Sequence, residues 1–138
     1  TKKNVIFEDN YWKISGAHDG YSINFGINYE REIEFYPEQM KFIGYDKLFR
    51  KTPNKAIKFD VRFHLDPRSK VMRTQNKKSI LIELDEEGWK FSCDKFDINI
   101  DNGLYFGNKN LYKENQNIFI SGINNEKEQV IKWEISKL

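Results

Sequence analysis

Between residues 57 and 65, hydrophobic and polar side chains alternate without a break. Ile57, Phe59, Val61, Phe63 and Leu65 take one side; Lys58, Asp60, Arg62 and His64 take the other. A repeat of two is the signature of a β-strand with one buried face. The same period recurs at 29–35, where Tyr29, Arg31, Ile33 and Phe35 oppose Glu30, Glu32 and Glu34. It predicts further strands at 78–84, 89–93, 96–100, 118–121 and 130–136, with weaker signals at 4–8, 11–17 and 40–48. Turn residues separate these stretches: Pro37, Thr52-Pro53-Asn54, Asp66-Pro67, Glu87-Gly88, Asn102-Gly103, Gly122 and Asn124-Asn125. No segment has the period of a long amphipathic helix. Sixteen Ile against two Ala point the same way, because β-branched side chains favour strands and alanine favours helices. Strands spaced ~8–12 residues apart predict an all-β fold, an antiparallel β-sandwich of about ten to twelve short strands.

Composition narrows the class. The 138 residues suit a single domain, 1–138. An aromatic share of 15% supplies core-forming side chains that a disordered tail lacks. No apolar run approaches the ~20 residues that cross a bilayer as a helix, so no membrane partner is expected. The lone cysteine, Cys93, excludes an internal disulfide and leaves the compartment open, periplasmic or cytoplasmic. One Cys and two His cannot complete a four-ligand Cys/His zinc site.

The formal net charge is only +2, but it is unevenly spread. Residues 47–78 hold 11 basic and 2 acidic groups, net +9, whereas 1–46 carry 5 and 8, net −3, and 79–138 carry 7 and 11, net −4. The basic set is Lys47, Arg50, Lys51, Lys55, Lys58, Arg62, Arg68, Lys70, Arg73, Lys77 and Lys78. Gathered on one surface, it would attract a polyanion. The alternative is a solvated strand-and-turn region whose charges are dispersed by folding.

Motifs that carry chemistry on their own are absent: no phosphate-cradling glycine loop, no His-Glu-x-x-His, no nucleophile elbow. Two local sets remain. In His18-Asp19-Gly20-Tyr21, the glycine allows a tight turn, Asp19 can orient the imidazole, and Tyr21 can donate a proton or stack on a sugar. The plain alternative is a solvated turn. Arg62 and His64 lie on the polar side of their strand, where a guanidinium can fork onto a ligand carboxylate. The plain alternative there is cross-strand charge pairing. Trp12, Trp89 and Trp133 fall within strand-like runs and are expected in the core rather than on a sugar-stacking platform. Cys93 shares a face with Trp89 and Phe91 and reads as a small buried hydrophobe. Inward-alternating aromatics also argue against a nucleic-acid partner, which needs them outward beside basic groups.

Taken in order, several stretches resemble the C-terminal β-sandwich of heparinase II/III family proteins, in particular a bacterial branch. They are Trp12 ahead of His18-Asp19-Gly20-Tyr21; the 29–35 strand with Arg31; Gly44-Tyr45-Asp46-Lys47-Leu48; Arg62-Phe63-His64-Leu65 with Pro67; Gly88-Trp89-Lys90-Phe91; 100–106 ahead of Gly107; 116–122; and Ile131-Lys132-Trp133. The set spans nearly the whole chain. It departs from the family pattern at Glu30, where a His precedes the arginine, and at Lys47, where an Arg follows the aspartate.

This resemblance implies a polysaccharide lyase. Such enzymes abstract the proton alpha to a uronate carboxylate and expel the 4-linked sugar by β-elimination. Their fold pairs an upstream α-helical toroid with the sandwich. The base, the acid and, where a metal is present, its ligands come from the toroid and the earliest sandwich strands. The chain is expected to begin after those strands, as a C-terminal fragment of a larger protein. No catalytic or metal residue and no cofactor is therefore carried over to it. What the resemblance does carry is a substrate-binding role for His18, Asp19, Tyr21, Arg62 and His64. The implied partners are an acidic polysaccharide and the upstream helical domain. A freestanding carbohydrate-binding sandwich without catalysis is the second reading. Edges left without their neighbouring strands would pair with another chain, so an edge-strand homodimer is a further expectation.

Overall fold

The computed structural model describes residues 1–51, 56–109 and 111–138. Its strands are β1 (Lys2–Phe7), β2 (Trp12–His18), β3 (Ile27–Tyr36), β4 (Lys41–Arg50), β5 (Ile57–His64), β6 (Lys70–Arg73), β7 (Ser79–Leu84), β8 (Glu87–Ser92), β9 (Ile98–Asn108), β10 (Leu111–Asn124) and β11 (Glu128–Lys137). A four-residue helix, α1 (Ser22–Phe25), links β2 to β3. All pairings are antiparallel. The strands form two sheets, one of eight in the order β1-β2-β3-β4-β11-β8-β7-β6 and one of three in the order β5-β10-β9. The fold is thus the expected all-β sandwich, with sheets of very unequal width.

The core lies where the small sheet covers the large one. Ile80, Phe91, Ile98, Ile118, Ile120 and Ile131 are fully buried, and Cys93 and Trp133 nearly so. Each such side chain contributes roughly 1.5–3 kcal/mol on burial. Phe63 of β5 sets its ring edge-on to both Phe91 (4.8 Å) and Trp133 (4.9 Å), which ties the layers together. Cys93 behaves as expected, and burial pushes its thiol pKa up.

Several turn and core expectations are corrected. Gly103 and Gly122 lie inside β9 and β10, not at turns. Each is a place of close approach: a Cβ at Gly103 would run into the Asn117 and Asn115 side chains, and one at Gly122 into the Phe59 and Phe96 rings. The β7–β8 turn sits at Asp85-Glu86, both at positive φ (50° and 67°), rather than at Glu87-Gly88. Two central residues at positive φ match the type I′ geometry that fits the strand twist. Strand β6 went unpredicted because Lys70-Val71-Met72-Arg73 barely alternates. Thr52-Pro53-Asn54 and Lys55 lie outside the described residues. Trp12, expected in the core, is 48% exposed. It sits on the inner face of the large sheet, beyond the reach of the small one.

Candidate functional site

The polar feature at the sheet interface is built on three neighbouring strands. The register sets Arg31 of β3 opposite Asp46 of β4, and Gly44 of β4 opposite Trp133 of β11. Asp46 is fully buried. Its carboxylate accepts from Arg31 Nε (2.7 Å) and Nη2 (3.3 Å), from Trp133 Nε1 (2.7 Å) and from the Tyr29 hydroxyl. A buried charge persists only with such partners. Burial and the Asp46 charge push the Tyr29 hydroxyl pKa well above the tyrosine range. Burial works against the Arg31 charge too, but the Asp46 hydrogen bond and charge outweigh it and raise the guanidinium pKa. Arg31 also lies over the Phe63 ring at 5.1 Å. The Gly44-x-Asp46 spacing is now explained: a Cβ at residue 44 would collide with the Trp133 indole, whose N–H Asp46 then holds.

Tyr29 and Arg31 of this network line a cleft of about 440 Å³ between β3 and β5. Tyr21, Phe25, Tyr29 and Phe59 supply aromatic walls, Arg31, Lys58 and Arg62 are the cations of the lining, and Asp60 adds a carboxylate. Arg62 donates to Asp101 (3.2 Å) and Asp60 (3.1 Å) and lies over the Phe119 ring at 4.7 Å. Lys58 makes no ion pair among the described residues. His18 stands beside the cleft, its ring 5.0 Å from Tyr21 and 5.3 Å from Tyr29. Its Nδ1 accepts from the Gly20 N–H (3.2 Å), so in the neutral ring Nε2 carries the proton and can donate.

The structure therefore brings His18 and Tyr21 together, while Arg62 lies across the cleft on β5 with its guanidinium drawn over β10 towards Asp101. It puts Asp19 at the exposed turn, where its carbonyl accepts from the Ser22 N–H and closes the loop. His64 lies two residues beyond Arg62 on the same side of β5, its Nδ1 3.2 Å from Asn117 Oδ1. That oxygen also accepts from Asn115 Nδ2, so His64 is the donor. Sequence reasoning missed Tyr29 and Asp46 as members of the site. The hint was present in Arg31, a cation amid the hydrophobic side of a strand, which requires a buried counter-charge.

Folding also disperses the positive stretch. Lys47 meets Glu30 and Glu32, Arg68 meets Asp66 and Asp85, Lys70 meets Glu83, and Lys78 meets Asp97. The aromatics are not all covered either: Phe7, Phe25, Phe106 and Tyr112 are exposed. Among the described residues, no three His, Cys, Asp or Glu side chains gather in a metal-binding group, and no helix is long and apolar enough to cross a membrane.

Comparison with known proteins places this architecture. A mutant of the heparan sulfate lyase HepC from Pedobacter heparinus superposes with a TM-score of 0.81 at 11% identity, covering 98% of this chain and 21% of that one. A heparinase III superposes with a TM-score of 0.75 at 12% identity, covering 100% and 21%. The FtsZ-localized protein C of Caulobacter vibrioides is 26% identical over 130 residues, which is 88% of this chain and 22% of that protein. The chain thus spans about a fifth of the length of these relatives. The sequence profile of one family, Heparinase II/III-like, C-terminal, matches residues 1–134. That match over nearly the full sequence establishes that the chain belongs to the Heparinase II/III-like, C-terminal family.

Proposed function

We propose that this chain is the C-terminal sandwich of a polysaccharide lyase, and that it holds an acidic, uronate-containing glycan beside a catalytic centre supplied by an upstream helical domain. The observation that carries this reading is the β3–β5 cleft, where aromatic walls and cations meet. Tyr21 stacks against a sugar face, His18 Nε2 donates to a hydroxyl, and Lys58 and Arg62 meet the carboxylate. Asp19 shapes the turn that presents His18 and Tyr21. His64 extends the polar row along β5. Tyr29 and Arg31 are positioning residues, because their polar atoms are engaged by Asp46. β-Elimination also needs a base at the sugar C5 proton and an acid at the leaving oxygen. Both roles are assigned to the upstream part of the protein.

Titration of the chain with heparan sulfate tests the binding role. Affinity is expected at low salt and should weaken as the Debye length falls to ~8 Å near physiological ionic strength. Arg62→Ala and Lys58→Ala should each lower affinity several-fold while unfolding stays cooperative. No binding at low salt would overturn the reading. The catalytic role is tested on the full-length protein by the absorbance of the unsaturated product, with this chain alone expected to be inert. Binding by the chain beside an inert full-length protein would favour a freestanding carbohydrate-binding module.

A further inference from the structure

A second cleft lies at the far end of β5. Strand β5 pairs with β10 only along 117–124, whereas the β9–β10 ladder runs on to Asn108 opposite Leu111. The two longer strands therefore project past β5 as a two-stranded arm. Tyr105 and Lys113 are direct cross-strand partners on this arm and so share one face. Tyr105 lies along its own strand over Gly107, where a Cβ would collide with its ring. The ring is thereby laid flat, with its other face turned outward, and it is 41% exposed.

The opposite wall is the rigid loop that follows β5. The Arg68 N–H donates to Asp66 Oδ1 (2.9 Å), its Nε donates to the same oxygen (3.0 Å), and Nη1 donates to both Asp85 oxygens (2.9 Å). The side-chain hydrogen bond from Arg68 holds the Asp66 carboxyl below the usual carboxylate range. Asp66 is thus an ionised acceptor fixed in an Asx turn. Between the walls is a cavity of about 330 Å³ lined by Asp66, Pro67, Arg68, Tyr105, Tyr112 and Lys113 among others. Lys113 makes no ion pair or hydrogen bond among the described residues. A flat apolar ring, a fixed carboxylate and an unpaired cation are the parts that grip a pyranose bearing an acidic substituent.

We infer that this cleft is a second glycan subsite, in which Tyr105 stacks on a pyranose, Asp66 accepts from its hydroxyls and Lys113 meets its carboxylate or sulfate. The subsite rests on the glycan-facing reading of the β3–β5 cleft and extends it. Lys58, Asp60, Arg62 and His64 follow one another on the same side of β5, and the chain then enters the Asp66–Arg68 loop. The two clefts are thus joined by an exposed polar row roughly 20–25 Å long, at about 3.3 Å per residue. One polysaccharide chain can engage both ends, so affinity gains from the second contact without a second binding event in solution.

The test compares a heparan sulfate tetrasaccharide with a long heparan sulfate chain on the 138-residue chain and on its Y105A/Y112A variant. These two rings are exposed, and retained cooperative unfolding checks the variant. The long chain should bind the unaltered protein about tenfold more tightly per site than the tetrasaccharide. The double variant should lose that advantage while keeping its tetrasaccharide affinity, and Lys113 amide shifts seen with the long chain should vanish. An unchanged length dependence in the variant would overturn the second subsite and leave the β3–β5 cleft standing. Unchanged tetrasaccharide affinity in R62A with the arm's response intact would overturn the first cleft alone. Absence of binding by either ligand at low salt would overturn both.

Discussion

One row of side chains crosses the large sheet in direct register, and its two halves have opposite fates. From β1 to β7 it reads Phe7, Trp12, Phe35, Phe42, Ile135, Phe91 and Ile80. Phe91 and Ile80 are fully buried beneath the small sheet. Phe7 at the other end is 71% exposed, although it packs edge-on against Trp12, which packs edge-on against Phe35. The same alternation produced both halves. Alternation selects which sheet face a side chain joins; only the placement of another layer removes that face from water.

Large-to-small substitution along the row separates the halves most strongly. Phe91→Ala should cost about 3–5 kcal/mol in urea unfolding, through lost transfer energy and a residual cavity. Phe7→Ala should cost less than about 1 kcal/mol, the range of surface changes. Equal costs would show that a further layer covers the β1–β2 half. A smaller effect is expected where the covered half meets the cleft. Tyr29→Phe removes one donor from the buried Asp46 carboxylate and should cost about 1–2 kcal/mol at neutral pH. It also carries a pH signature. Tyr29 has a raised pKa in the folded state, so its contribution is complete below the unfolded tyrosine value of ~10 and is lost as pH rises beyond it. The unaltered protein should lose stability above about pH 10 more steeply than Tyr29→Phe. Parallel curves would mean that the hydroxyl ionises freely. The smallest effect belongs to the outer side of the uncovered half. Lys13→Ala breaks the 2.8 Å ion pair with Glu32, yet should cost under about 1 kcal/mol, and less at high salt.

The candidate site was partly legible. His18 and Tyr21 were visible because the turn glycine between them closes a loop locally, and the structure sets their rings 5.0 Å apart. Arg62 was visible as the polar side of a strand, but its cation is tied to Asp60 and Asp101, the latter 39 residues away. The apparent positive patch failed for the same reason. Its counter-charges come from strands distant in sequence, such as Glu30, Glu83 and Asp97, which no local charge count can pair with it. The glycines misled where a strand needed space for a neighbour's ring rather than a turn. Gly122 makes room for Phe59 and Phe96, and that contact exists only once β5 lies beside β10.

The sequence by itself determined that this chain is a string of short strands and which side chains share a face, because those properties depend on neighbours one to four residues away; the order of its motifs along the chain determined which family pattern it follows. The tertiary structure alone decided that Asp46 would gather Tyr29, Arg31 and Trp133, that two clefts would stand at opposite ends of β5, and that half of one sheet would remain uncovered. Those outcomes follow from registers and layer offsets between strands far apart in the chain, where a shift of one residue would send each of these side chains to the opposite face.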